Sequence, residues 1–393
     1  MNKPSEKPQK ARKTTKIEKI LIFSTLFLVL FGVLMVYSAS FYYAKKTYNN
    51  PYFFLTKQFV GLIFGSIAMF WLSKVNYNHL QKIKWIALFV GYILLLLVFV
   101  PGIGVTNYGA TRWIRLPGFT IQSSEIAKFC FVLFASCHLS QNYKKVKELK
   151  GILPVIISGA LMCVLILLEP NMSITMCVGI VMIIMLLIGG ISFKHFLMLL
   201  IPALILVPVL IIIEPYRFNR LMAFINPWAN PKGEGYQLIQ SFYSISNGGL
   251  FGVGLFNSRQ KHLFLPFAES DFIFSIIAEE FGWVGCIGLL SVYFVVIVCG
   301  IKIALHSKNR FGCFLATGIT AVIAVQTLLN ILVVSGLIPP TGLPLPFISS
   351  GSTSIVVFMS AVGVLLNINK QNNISLVEET NKFKNFKRIS LKK

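Results

Sequence analysis

The chain has 393 residues, of which 55% are hydrophobic and only 12% are Asp, Glu, Lys or Arg, with a mean hydropathy of +0.75. Soluble domains carry roughly 25% charged residues, so an ordinary cytosolic enzyme, a nucleic-acid-binding domain and a disordered chain are excluded. The net charge of +23 is concentrated in two tails, with seven Lys/Arg in the first 19 residues and seven between Lys370 and Lys393, a membrane topology signal before it is a polyanion-binding one.

Apolar stretches of about 17–25 residues are long enough to cross a bilayer as helices. Ten occur, near 20–40, 58–73, 85–101, 124–140, 152–168, 172–191, 195–213, 272–300, 311–335 and 351–368. The pattern predicts an all-α polytopic membrane protein of about ten transmembrane helices, with a large structured external loop between spans 7 and 8. The first span is no cleaved signal peptide, because its apolar core is too long and nine further spans follow, although Ser38-Ala39-Ser40 resembles a cleavage site. A cytoplasmic start puts both tails and the loops 74–84, 141–151, 192–194 and 301–310 inside, with 25 basic residues against ten outside, as the positive-inside rule requires. The organisation is a basic cytoplasmic tail (1–19), a membrane domain (20–368, including the external loop 214–270) and a second basic cytoplasmic tail (369–393).

Two external segments stand out. Residues 214–270 are rich in Gly, Pro and Asn, yet Tyr216, Phe218, Trp228, Tyr236, Phe242, Tyr243 and Phe251 favour a structured loop on the membrane surface over disorder. The segment from Pro101 to Ser123, with Gly102, Gly104, Gly109, Trp113 and Pro117, reads as an interfacial or re-entrant piece. The seven Cys lie in or at the inner ends of spans without a CxxC pair, and the five His show no metal-ligand spacing.

Ionisable residues near spans carry the functional signal, since a charge at mid-bilayer costs roughly 2.5–3.5 kcal/mol on insertion scales. Asp271, the only Asp in the chain, falls where the long loop enters the eighth span. From position alone, it fits a helix N-terminal charge as well as a functional acid. Glu125 and Lys128 share a helix face, either as a buried structural pair or as the wall of a cavity opening outward. Glu279 and Glu280 point in different directions, so at least one faces a cavity or a partner helix. Glu169-Pro170 lies in the tight turn between spans five and six, where a solvated acid is expected. External Arg112/Arg115, Arg217/Arg220 and Arg259/Lys261 suit phosphate or carboxylate, of a ligand or of membrane lipid headgroups.

The order of motifs resembles the SEDS family of polytopic membrane proteins (the RodA, FtsW and SpoVE group), which polymerise peptidoglycan glycan strands. The resemblance runs from Val36-Tyr37-Ser38-Ala39-Ser40 to about Leu366. It includes Gly109-Ala110-Thr111-Arg112-Trp113-Ile114, Gln122-Ser123-Ser124-Glu125-Ile126-Ala127-Lys128, Gly235-Tyr236-Gln237-Leu238, Gly248-Gly249-Leu250-Phe251-Gly252, Asn257-Ser258-Arg259-Gln260-Lys261, Asp271-Phe272-Ile273-Phe274, Ala278-Glu279-Glu280-Phe281-Gly282 and Gly342-Leu343-Pro344-Leu345-Pro346-Phe347. The Asn-Ser-Arg-Gln-Lys and Asp-Phe-Ile-Phe segments are closer to the division and sporulation branch. Departures include Ser123 for a family Pro, Asn171 and Asn226 for Asp, Thr341 for Lys, Ser350 and Ser352 in the late motif, and Pro266-Phe267-Ala268-Glu269-Ser270-Asp271 in place of Pro-Glu-Ala-His-Thr-Asp.

The resemblance implies a peptidoglycan glycosyltransferase in the bacterial cytoplasmic membrane, with both termini cytoplasmic and the active site facing outward, working on lipid II in division, sporulation or shape. It marks Asp271 as the catalytic acid and places Glu125 and Lys128 in the same cavity. Arg112, Arg115, Arg217, Arg220, Arg259 and Lys261 are the candidates for gripping the diphosphate, and whether a divalent cation (Mg or Mn) adds charge stays open. A class B penicillin-binding protein transpeptidase is the expected partner, and no nucleic acid is involved. The alternatives are a lipid II flippase, against which no inverted repeat between the two halves is visible, and a division-complex scaffold.

Overall fold

The computed structural model describes residues 15–107, 110–116 and 119–390. The basic segment 1–14, Gly109, Pro117 and residues 391–393 lie outside the described residues. The chain forms a helical bundle of α1 (Lys16–Tyr48), α2 (Phe53–Leu72), α3 (Lys84–Leu97), α4 (Ser123–Gln141), α5 (Leu149–Leu168), α6 (Met172–Gly189), α7 (Phe193–Ile213), α8 (Pro215–Ile225), α9 (Tyr236–Gly248), α10 (Ile273–Leu305), α11 (Arg310–Val334) and α12 (Ser352–Ser390). Among the described residues, nine helical stretches are long and apolar enough to cross a membrane. The remaining predicted span is α4, whose Ser, Glu and Lys residues make it less apolar. It is sheathed by α3, α5, α6 and α11 and buried on most of its surface. The long loop is structured, as expected, and contributes α8 and α9.

Side-chain chemistry explains the ends and crossings. Thr15 opens α1 with a capping box closed by Glu18, which satisfies two otherwise orphan amides, and Asn369 of α12 bonds both of these side chains. Helix α2 lies along α12 at close range, where a Cβ on Gly61, Gly65 or Gly363 would lie within 3 Å of the facing helix; small residues at such crossings let backbones approach. Helix α7 buries no residue and packs mainly against α8. Helix α12 continues unbroken past residue 368, so no helix end marks the expected boundary between membrane domain and tail.

Two segments take shapes that hydropathy does not show. Residues 104–107, 110–116 and 119–122, within the segment read as interfacial or re-entrant, form an antiparallel meander of β1 (Gly104–Asn107), β2 (Ala110–Leu116) and β3 (Phe119–Gln122) in that spatial order. Thr, Val, Ile and Trp along these runs favour a pleated surface. Alternation on β2 puts Arg112 on the face of buried Ile114, while Arg115 points the other way and is exposed.

The eighth span is not one continuous helix from 272 to 300. Gly282, with φ 65° and ψ −166°, breaks α10, and the external loop fills the break. Val253 and Gly254 donate their N–H groups to the carbonyls of Glu279 and Glu280, at 2.9 and 3.1 Å. Trp283 and Val284 donate to the carbonyls of Gly249 and Leu250, at 3.0 and 3.1 Å. Backbone groups orphaned by the kink are thus satisfied by residues about thirty positions upstream. The segment after the break, 283–305, is by itself long enough to span.

This conformation belongs essentially to glycine and costs other residues roughly 1–3 kcal/mol. A Cβ at Gly282 would also lie 2.4 Å from the Gly252 nitrogen and 2.5 Å from the Leu250 oxygen. Gly282→Ala is therefore expected to lower the melting temperature by several degrees or to prevent accumulation in the membrane, measured by fluorescence-detected thermal unfolding. Wild-type stability would contradict the splice.

Candidate active site

A cleft of about 340 Å³ opens where β2, α8, the turn before α10 and the segments around 340–344 and 350–354 meet, a volume within the range of small-molecule sites. Asp271 lies in its wall on a turn that is held from several sides. The amides of Ser270 and Phe272 both donate to the carbonyl of Phe267. Three successive carbonyls are then bonded from elsewhere: that of Glu269 by the Ser350 amide at 2.8 Å, that of Ser270 by the Ser349 hydroxyl at 2.6 Å, and that of Asp271 by the Asn330 amide side chain at 2.8 Å. The backbone carrying Asp271 is therefore pinned by α11 and the 349–350 segment. Gly342, at φ 74°, comes so close that a Cβ there would sit 3.1 Å from Asp271 Oδ2.

Two arginines face this carboxyl. Arg112 on β2 donates from Nε to the Glu169 carbonyl at 3.2 Å and from Nη2 to the Pro170 carbonyl at 2.5 Å. Arg220 on α8 donates to the Pro340 carbonyl at 3.1 Å and stacks on Tyr216, 4.7 Å from the ring centre. Neutral carbonyls orient both guanidiniums without cancelling their charge, which leaves the cleft electropositive and suited to an anion. Burial pushes the Asp271 carboxyl up to about 6, with Arg112 and Arg220 opposing the rise.

Several predicted site residues lie elsewhere. Glu125 and Lys128 are not a cavity wall: both are buried, paired at 2.8 Å, and Lys128 also bonds Gln326. Pairing neutralises them, so they need no water-filled space. They reach the cleft through Ser354, a lining residue that donates to Glu125 Oε2 at 3.2 Å, and through Gln326, which donates to the carbonyl of Pro344, another lining residue, at 2.9 Å. Lys261 is buried against Glu280 at 2.9 Å, and Ser38 bonds both. Glu279 accepts from Ser244, from Ser258 and from the amides of Arg259 and Gln260. These two acids therefore anchor the external loop and are not among the residues lining this cleft. Arg259 and Arg115 are exposed outside the cleft, and Arg217 donates to the Leu210 carbonyl.

Glu169 corrects the expectation of a solvated turn acid. It is fully buried, accepts from Ser123 at 2.9 Å, and burial pushes its carboxyl up to about 8.

Other lining residues escaped the sequence reading. Lys57 was placed before the second span, but α2 starts at Phe53 and carries Lys57 into the cleft wall, 4.1 Å from the Phe53 ring centre. Glu269 and Tyr216 also line the cleft. Position 269 was legible as a departure from the family stretch, yet its acid character went unused. Among the described residues no group of three or more His, Cys, Asp or Glu converges as metal ligands.

The family model described as cell cycle protein, covering FtsW, RodA and SpoVE, matches residues 18–374. The chain belongs to this family. It is similar to stage V sporulation protein E of Bacillus subtilis, 37% identical over 91% of this chain and 98% of that protein. It is also similar to a probable peptidoglycan glycosyltransferase FtsW of Geobacter metallireducens, 36% identical over 90% and 94%. In structure it resembles a chain of a peptidoglycan synthase complex described for its coordination of polymerization and crosslinking (TM-score 0.74, 25% identity, 90% of this chain and 97% of that one). The rod shape determining protein RodA of Thermus thermophilus shares the fold (TM-score 0.62, 22% identity, 90% and 96%).

Because a side chain at Gly342 would press on Asp271, Gly342→Ala is expected to lower turnover roughly ten- to hundredfold with a smaller loss of stability, about 1–2 kcal/mol from the left-handed backbone. Initial rates and melting temperature of the same preparation check this. Wild-type turnover would mean that the carboxyl tolerates displacement.

Proposed function

We propose that this chain is a peptidoglycan glycosyltransferase that polymerises lipid II, a disaccharide-pentapeptide on undecaprenyl diphosphate, with its cleft open to the outer face of the cytoplasmic membrane and both termini inside. Asp271 takes the proton from the acceptor sugar's 4-hydroxyl as that oxygen attacks the donor's anomeric carbon. The anomeric bond to the diphosphate breaks, its electron pair leaves with the polyprenyl diphosphate, and the centre inverts. Arg112 and Arg220 meet the negative charge that grows on the leaving group, with Lys57 as a third cation in the wall. The reading is carried by one observation: a carboxyl in the cleft wall opposite two guanidiniums that neutral carbonyls orient. A base titrating just below neutral pH is ionised at working pH and still accepts a proton readily.

A class B penicillin-binding transpeptidase is the proposed partner, supported by the structural likeness to a chain from a synthase complex. The external loop 214–270, spliced into α10, belongs to the membrane domain 20–368, and the basic segments 1–19 and 369–393 face the cytoplasm.

Purified wild type and Asp271→Asn, reconstituted with lipid II alone and with the transpeptidase, test this reading through glycan chain length on gels and lipid II movement in sealed vesicles. Wild type is expected to make chains, and the folded variant to lose roughly 10²-fold or more in rate. Translocation by wild type without any chains would replace the polymerase with a transporter.

A further inference from the structure

Among the described residues, Glu269 is the buried acid that no other residue's side chain holds. The other buried glutamates among the described residues, Glu18, Glu125, Glu169, Glu279 and Glu280, each accept a hydrogen bond from another residue's side chain. Glu269 is 8% exposed and lines the cleft, and among the described residues no other residue donates to its carboxyl. The Ser350 amide on its carbonyl fixes its place in the turn, and Asp271 stands two residues on in the same wall. Its carboxyl is held only by its own backbone amide, so the rest of its hydrogen-bonding capacity is open to a ligand in the cleft.

We propose that Glu269 is a second substrate-contacting residue, which as a neutral carboxyl donates a hydrogen bond to an oxygen of the sugar that Asp271 deprotonates. This rests on the glycosyltransferase reading of the cleft. Two carboxyls in one wall cannot both ionise cheaply, so the pair divides its roles: the ionised member accepts a proton and the neutral member donates one, as in other carboxyl pairs whose environments push them apart. Burial, with the charge of Asp271 adding to it, pushes Glu269 up to about 7 against the pull of its own backbone amide, while Arg112 and Arg220 oppose the rise at Asp271. Asp271, which faces the two arginines, is therefore the charged member. As pH rises through about 7, Glu269 loses its proton and with it the donor.

The other titratable groups facing the cleft are Lys57 from α2, Tyr43 and Tyr48 from α1, and Tyr216 from α8, besides Arg112 and Arg220. Of these, Lys57 is the rival source of an alkaline limb.

Wild type, Glu269→Ala, Glu269→Gln and Lys57→Met, each reconstituted with lipid II, are compared for kcat and KM between pH 5.5 and 9. Glu269→Ala is expected to raise KM about tenfold, the loss of one hydrogen bond. Glu269→Gln, which keeps a donor but cannot ionise, is expected to recover most of that loss and to abolish the decline above about pH 7. A second readout is independent of turnover: lipid II binding to Asp271→Asn protein should weaken about tenfold when Glu269→Ala is added. Unchanged binding there, a wild-type KM in Glu269→Ala, an alkaline limb that survives Glu269→Gln, or a limb removed by Lys57→Met instead would overturn the proposal. Failure of wild type to polymerise alongside weakened binding in the double variant would overturn the reaction assignment and keep the contact.

Discussion

A carboxylate withdrawn from water must either be matched by opposing charge or give up its proton, and the region around Asp271 is built on the balance between these outcomes. Burial drives the group toward its neutral form, while Arg112 and Arg220 draw it back. Neither arginine is spent on an acid within 4 Å among the described residues; each is held by backbone carbonyls, from the α5–α6 turn and from Pro340. The same two cations therefore set the basicity of Asp271 and remain available to a diphosphate. Clamping of the carbonyls of residues 269–271 fixes where the carboxyl stands, and precise placement of reacting groups is a large part of catalysis by orientation.

The charged residues below and beside the cleft do a different job. Glu125 with Lys128, and Glu280 with Lys261, are closed pairs with further polar partners. A pair satisfied in this way resists opening, because removing one partner strands a buried charge. The first supports α11 and, through Ser354, the cleft floor; the second, with Glu279, moors the external loop to α1 and α10. That mooring holds the loop in the break at Gly282 and so supports the start of α10, where Asp271 stands.

What the sequence revealed follows from how local each signal is. Apolar windows are local, so nine of the ten predicted spans were legible as helices long and apolar enough to cross a membrane among the described residues, as was a structured loop between the seventh and eighth. Asp271 was conspicuous at the mouth of a span, but position alone left it open as a helix N-terminal charge, and the family resemblance singled it out. The break at Gly282 was hidden because its hydrogen-bond partners lie thirty residues upstream, and glycine in an apolar run has no local meaning. Exposure separated Arg112 from Arg115 only once the segment was known to be a strand with alternating faces. Burial was misjudged for Glu169, read as solvated, and stayed undecided for the Glu125–Lys128 pair, read as a buried pair or a cavity wall, since burial is a property of tertiary packing. Lys57 was hidden by an error of a few residues in a helix start, which is where hydropathy is least informative.

The dependence of polymerisation rate on pH, compared between wild type and Arg112→Gln, tests the balance at Asp271 most directly. Loss of the base form as pH falls predicts a wild-type acid limb near pH 6. Removing the cation that most opposes protonation predicts that the limb of the residual activity moves to higher pH. An acid limb at the same pH in both proteins, or one displaced downward, would contradict the assignment of Asp271 as a base tuned by the arginines that face it.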